Sequence, residues 1–285
     1  MKYLITGSNG QLGREFTNLL SSKSADYLAG DIDTIDIADL DSLIAIVRYY
    51  KPSVVINCAA YNLVDQAEIS PELAYQINSV GPVNLAIAAE EVGAVFVHYG
   101  TDYVFDGRKG APYAESDTTN PLNQYGESKL LGEQKILQIA RQTGNPSLIF
   151  RVSWVYGSGA QNFIHKLLGW ADASPELNIA DDEISVPTST STIALTTLSA
   201  IDRGLSGLWH LTNGGYCSRY EWAEFILHSL GKSNILNRAS KEDFKLPAKR
   251  PGFSAMSNSA LSKILDIDVP LWKEALADYL SKSFA

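Results

Sequence analysis

KYLITGSNGQLGREF, residues 2–16, sets an apolar run directly ahead of three glycines, Gly7, Gly10 and Gly13, spaced by three. An apolar run of that length suits a strand buried on both faces, and the residues after it repeat apolar positions at helical spacing. A strand that passes into a helix through glycines exposes backbone N–H groups at the helix start, with no Cβ to block a phosphate. The loop of Gly7, Asn9, Gly10, Gln11, Leu12 and Gly13 is therefore a candidate pyrophosphate cradle, in a context that a plain tight turn does not need.

Outward from this stretch, strand-length apolar runs recur at 27–31 (YLAGD), 53–60 (SVVINCAA), 94–102 (AVFVHYGTD) and 147–157 (SLIFRVSWVYG), with helix-period stretches between them. Nearly all-apolar strands alternating with amphipathic helices build a parallel sheet covered on both faces. The expected class is α/β, a doubly wound Rossmann-like sheet. After residue 157 the rhythm loosens, and Ser, Thr, Pro and Gly gather between 171 and 192. The expected organisation is a dinucleotide-binding domain over 1–157, to which 190–213 returns, and a smaller substrate-binding lobe over most of 158–285. Helices are expected there at 218–231 and 271–283, joined by a Pro-rich connection around 246–253.

The 285 residues, 45% hydrophobic, suffice for a sizeable core. A net charge of −9 and a pI near 5.0 speak against nucleic acid and anionic membranes, which call for clustered Lys and Arg. A small molecule is the expected partner. Cys58 and Cys217 have no partners at metal-ligand spacing and read as free thiols of a reducing cytoplasm. No secretion signal is read ahead of the first strand, and no apolar run approaches the roughly 20 residues that span a bilayer. The chain is expected to be soluble and cytoplasmic.

The G-x-x-G-x-x-G spacing resembles the extended branch of the short-chain dehydrogenase/reductase superfamily. Asp31, ending the second strand, stands where a carboxylate hydrogen-bonds the adenosine ribose and repels a 2′-phosphate, while Arg14 after Gly13 favours the opposite. The cofactor is read as NADH or NADPH, with NADH slightly ahead. Asp36 and Ile37 are further neighbours of the ribose or adenine, and Asp33 is as readily a solvated loop residue. YGESK places Tyr125 and Lys129 four apart, on one helix face. A phenol titrating near 10 is a poor acid at neutral pH, and a neighbouring ammonium favours its phenolate. Thr101, 24 residues earlier at a strand's carboxyl end, completes a constellation where ligands of open α/β sheets lie.

The runs HYGTDYVFDG, PLNQYGESKLLGE, FRVSWVYG, the PT at 187 and the RP at 250 are together similar to the dTDP-4-dehydrorhamnose reductase family, over essentially the whole chain. NCAAYNLVDQAE fits as well. The resemblance implies reduction of the 4-keto group of dTDP-6-deoxy-L-lyxo-4-hexulose to dTDP-L-rhamnose with NADH or NADPH. It implies Tyr125 as proton donor, Thr101 as the hydrogen bond to the keto oxygen, and Lys129 as the group that lowers the Tyr125 pKa and holds the nicotinamide ribose. Ala59, Ala60 and Tyr61 would flank the cofactor. Val64, Asp102, Tyr103 and Trp154 would contact the sugar, and Arg250 the diphosphate.

Two departures stand out. Gly100 replaces the serine usual before the catalytic threonine, which leaves Thr101 in place. Where some relatives bridge a dimer through a metal, this chain reads PTSTSTIALTT, without a carboxylate, and Glu15 alone is a weak ligand. No metal is expected, and a homodimer stays open. Dehydration at C4 and C6 needs an Asp-Glu pair where this chain has Asp102 and Tyr103. Epimerisation at C4, reduction to the 6-deoxytalose epimer, and a non-catalytic cofactor-binding regulatory subunit are the competing readings. His98 and His210 are read as core histidines, and Asp181, Asp182 and Glu183 as a solvated turn.

Overall fold

Six parallel strands form the main sheet: β1 (Lys2–Thr6), β2 (Asp26–Gly30), β3 (Val54–Asn57), β4 (Val95–Thr101), β5 (Ser147–Val152) and β6 (Gly207–His210), in the order β6-β5-β4-β3-β1-β2. The structure is a computed structural model and describes residues 1–159 and 161–284. Side chains alternate along the strands. Tyr3, Ile5, Val54, Ile56, Val97 and Phe150 face one core, and Leu4, Val55, Phe96 and Ile149 face the other. The first face is covered by α1 (Gln11–Ser22), the second by α2 (Leu40–Tyr50), α3 (Gly81–Glu91) and α4 (Gln124–Thr143). Because β2 lies on one side of β1 and β3 on the other, the chain reverses direction between β1 and β3. That reversal opens a crevice at the carboxyl ends of the strands.

The second half divides its residues between two cores. Beyond α5 (Phe163–Ala173), α6 (Thr190–Asp202) packs Ile193, Ala194 and Leu198 on the first sheet face, and β6 pairs with β5. A separate core gathers Tyr156, Ile164, Trp222, Ile226 and Leu276 from the short strand Val155–Tyr156, α5, α7 (Arg219–Ser229) and the last helix. Among the elements that escaped the sequence reading are two strands and a helix. Glu176–Ala180 pairs in parallel with Ile235–Ala239, and α8 (Ser259–Leu265) returns Leu261 and Leu265 to the main core before α9 (Trp272–Ser283). Both strands of that pair are only partly buried, so neither shows an all-apolar run. Among the described residues no helix is long and apolar enough to cross a membrane.

Candidate active site

The glycines act by close approach. A Cβ on Gly13 would lie 2.3 Å from the carbonyl of Gly7, and one on Gly7, whose φ is +68°, 2.5 Å from the amide of Ala59. The loops after β1 and β3 are thereby pressed together at the crevice, and any larger residue forces them apart. The first turn of α1 starts at Gly10 with no side-chain cap, so its N–H groups remain free for an anion. Gly7, Asn9, Gly10, Asp31, Asp36, Ile37, Ala59 and Ala60 line one cavity of about 430 Å³. Asn62, Gln76 and Gln161, not singled out in the sequence, line it too. Its lining carries two aspartates and no lysine or arginine. The uncapped helix, the glycine cradle and the cavity fit a dinucleotide.

Other members of the loop have different surroundings. The Leu12 side chain packs against the sheet core, and the Gln11 amide oxygen accepts from Asn162, the N-cap of α5. Asp31 accepts from the amides of Asn9, at 3.0 Å, and Ile32. Behind the cavity, Asn57 links three strands. It accepts from the Thr6 hydroxyl at 2.8 Å and the Ala59 amide at 3.0 Å, and it donates to Nδ1 of His98. His98 is fully buried, and burial holds it well below its ordinary pKa, in the neutral form. A larger cleft of about 690 Å³, between α6 and α9, holds Glu15 and none of the candidate catalytic residues.

Helix α4, which carries Tyr125 and Lys129, starts at Asn123, whose side chain caps the Gly126 amide at 2.8 Å. A Cβ on Gly126 would meet the Tyr103 carbonyl at 2.4 Å, so this glycine lets the helix lie against the end of β4. Tyr125 is thereby packed edge-on to Tyr103, with ring centroids 5.8 Å apart, among Tyr61 and Val64. Its hydroxyl lies 3.5 Å from Oδ1 of Asn62 and beside the Thr101 hydroxyl. Asn78, fully buried in a π-helical turn (Gln76–Val80), holds both backbone groups of Tyr61 and donates to Ser128, which fixes the loop after β3 on α4.

Burial pushes the Tyr125 phenol up to about 12, and the charge of Asp102 pushes the same way, opposed by the Thr101 hydroxyl. The Lys129 ammonium donates to the Tyr99 carbonyl, at 2.5 Å, and burial lowers it to about 8 against the opposing pull of Glu133. Glu133 is itself bound by Arg151 through two hydrogen bonds, of 2.9 and 2.5 Å, in a pair almost fully buried behind Gly100. His210 donates to the Tyr113 carbonyl through Nδ1 and is lowered to about 3 by burial and the nearby Arg151.

A profile described as "RmlD substrate binding domain" matches residues 1–284. A crystal structure of a dTDP-4-dehydrorhamnose reductase from Clostridium acetobutylicum superposes with a TM-score of 0.94, at 38% identity over 99% of each chain. The chain belongs to the dTDP-4-dehydrorhamnose reductase family. A second reductase of that name, from Bacillus anthracis and in complex with NADP, is 33% identical over 99% of each chain, also with a TM-score of 0.94. The spore coat polysaccharide biosynthesis protein SpsK of Bacillus subtilis is 36% identical, over 99% of this chain and 97% of its own.

On the side where the family resemblance puts the sugar, Asp102 is only 2% exposed, and its carboxylate accepts from the hydroxyls of Ser185, Ser254 and Thr101. The Trp154 ring is stacked against Trp222, at 5.4 Å, and carries the Arg219 guanidinium 3.6 Å from its centroid. Arg250 grips Asp65, beside Val64, with two hydrogen bonds of 3.1 and 2.7 Å. Glu183 lies between the two arginines, 3.6 Å from Arg219 and 3.8 Å from Arg250. The acidic turn is paired as well as partly exposed: Asp181 binds Ser218 and Arg238, and Asp182 binds Ser240 and the Lys241 amide. No signal in the sequence marks Arg219, Ser185 or Ser254, because their partners lie far away along the chain.

Proposed function

We infer that the chain is an NAD(P)H-dependent reductase that converts the 4-keto group of dTDP-6-deoxy-L-lyxo-4-hexulose to the alcohol of dTDP-L-rhamnose. The observation that carries this reading is the Tyr125 hydroxyl, 3.5 Å from Asn62 in the wall of the glycine-loop cavity, in a chain that matches the family over residues 1–284. Bound NAD(P)H supplies the hydride for C4. Tyr125, held protonated by its high pKa, gives its proton to the oxygen formed there. Thr101 flanks the same point, and Lys129 is placed to hold the nicotinamide ribose once its hydrogen bond to Tyr99 is shared. Tyr103 and Val64 form the apolar wall around the sugar, and Arg250 and Arg219 supply positive charge for the diphosphate.

The aspartates of the cavity favour NADH over NADPH. The Glu15 carboxylate accepts from the Thr190 hydroxyl, at 3.0 Å. The sheet body holds the cofactor and the lobe around Trp222 closes the sugar side, in a cytoplasmic enzyme. The test is oxidation of NADH by the purified chain with the 4-keto nucleotide-sugar, followed by determination of the C4 configuration of the product. Rhamnose is expected. The talose epimer refutes the stereochemical part, and cofactor binding without turnover favours a regulatory protein.

A further inference from the structure

The start of α4, just ahead of Tyr125, is tied to a segment 126 residues further on. Asn123 is 3% exposed, and both ends of its side-chain amide are engaged. Oδ1 accepts from the Gly126 amide at 2.8 Å, which caps the helix, and Nδ2 donates to the Lys249 carbonyl at 2.8 Å. A backbone amide only donates and a carbonyl only accepts, so these two partners fix which end of the side chain is which. The same segment is held a second time from the short helix Val64–Ile69. There Asp65 accepts from the Ala248 amide at 3.2 Å and from the Arg250 guanidinium at 3.1 and 2.7 Å. Glu68, three residues on, accepts from the Gln124 amide at 2.7 Å. Residues 246–251 form no helix or strand, so side chains do for this stretch what a backbone ladder does elsewhere.

We propose that Asn123 is a positioning residue that sets the Lys249–Arg250 segment against the start of the Tyr125 helix, so that one nucleotide-sugar meets Arg250 at its diphosphate and Tyr125 at its keto oxygen. The proposal deepens the reductase reading and rests on it. Arg250 directly follows the tied carbonyl, and Tyr125 stands two residues after the asparagine that ties it. Diphosphate and C4 belong to one molecule. A segment that shifts with the diphosphate bound to it therefore carries the keto oxygen away from the phenol, and the reacting geometry is lost before the binding is.

Asn123→Asp separates the cap from the tie, because a carboxylate still caps the Gly126 amide but turns an acceptor towards the Lys249 carbonyl. The kcat for the nucleotide-sugar is expected to fall by roughly tenfold to a hundredfold, while Kd for NADH and for dTDP, which lacks the sugar, stays within about twofold. Asn123→Ser caps the helix but is too short to reach Lys249; it is expected to lower kcat in the same way, and it decides the matter if the charged variant does not fold. In an Arg250→Ala background the loss from Asn123→Asp shrinks, because the segment then no longer grips the diphosphate. Hydrogen exchange of the full chain reads the tie itself: residues 246–253 exchange faster in Asn123→Asp, and α4 beyond its first turn keeps its protection. Unchanged exchange at 246–253, an unchanged kcat, dTDP affinity lost in proportion to kcat, or an equal loss without Arg250 overturns the assignment. If the parent fails to reduce the nucleotide-sugar, the functional reading falls, while hydrogen exchange still decides whether Asn123 holds the segment.

Discussion

Replacing Lys129 by methionine should make the protein more stable while removing its activity. The ammonium is 3% exposed, and burial takes it from an ordinary 10.5 to about 8. At 1.36 kcal/mol per pH unit, that fall corresponds to about 3 kcal/mol of stability forgone to hold the charge inside at neutral pH. Methionine fills a similar volume without the charge, and loses one hydrogen bond, to the Tyr99 carbonyl, worth about 1 kcal/mol. The net expectation is a gain of about 2 kcal/mol at pH 7, which for a chain of this size raises Tm by about 4 °C.

The sign of the pH dependence distinguishes this account from a general packing effect. The folded-state pKa lies below the unfolded one, so the unfolded chain binds more protons between about 8 and 10.5, and the parent gains stability as pH rises through that window. The penalty is fully present below pH 8 and relieved above 10.5. Urea and thermal unfolding of the two proteins at pH 7 and near pH 10 measure it, with turnover expected to fall by about 10² or more. A methionine variant less stable than the parent at pH 7, or an advantage undiminished near pH 10, would refute the reasoning.

Tyr125→Phe removes the proton donor alone and should lower kcat by about 10² to 10⁴ while NADH binding, followed by fluorescence, is unchanged; near-normal turnover would rule the residue out. Asp31→Ala removes one of the two cavity aspartates and should reduce the preference for NADH over NADPH, read as the ratio of kcat/KM values, and a constant ratio means that Asp31 does not read the ribose. Gly13→Ala sets a methyl 2.3 Å from the Gly7 carbonyl and 2.7 Å from the Ser8 Cα, against backbone that cannot yield cheaply. It should abolish NADH binding and lower Tm by several degrees, about 1–3 kcal/mol of overpacking, and intact binding in calorimetry contradicts the close-approach account.

What was legible in the sequence was local. The central parallel strands announce themselves because burial on both faces leaves them few polar positions, and Tyr125 and Lys129 share a helix face by spacing alone. Short, half-exposed strands such as Glu176–Ala180 and Ile235–Ala239 carry no such pattern and pair across 59 residues. The same limit explains the site. Spacing puts Lys129 on the helix face of Tyr125 but does not show the acceptor of its ammonium, the Tyr99 carbonyl, 30 residues back. Asp102 is the sharper case. A carboxylate next to the catalytic threonine looks free for a ligand as long as its neighbours in sequence are the ones considered. Its serine partners stand 83 and 152 residues further on, in stretches whose polar composition reads as solvated loop. Once they converge on the end of β4, a buried carboxylate with three hydroxyl donors has no oxygen left idle.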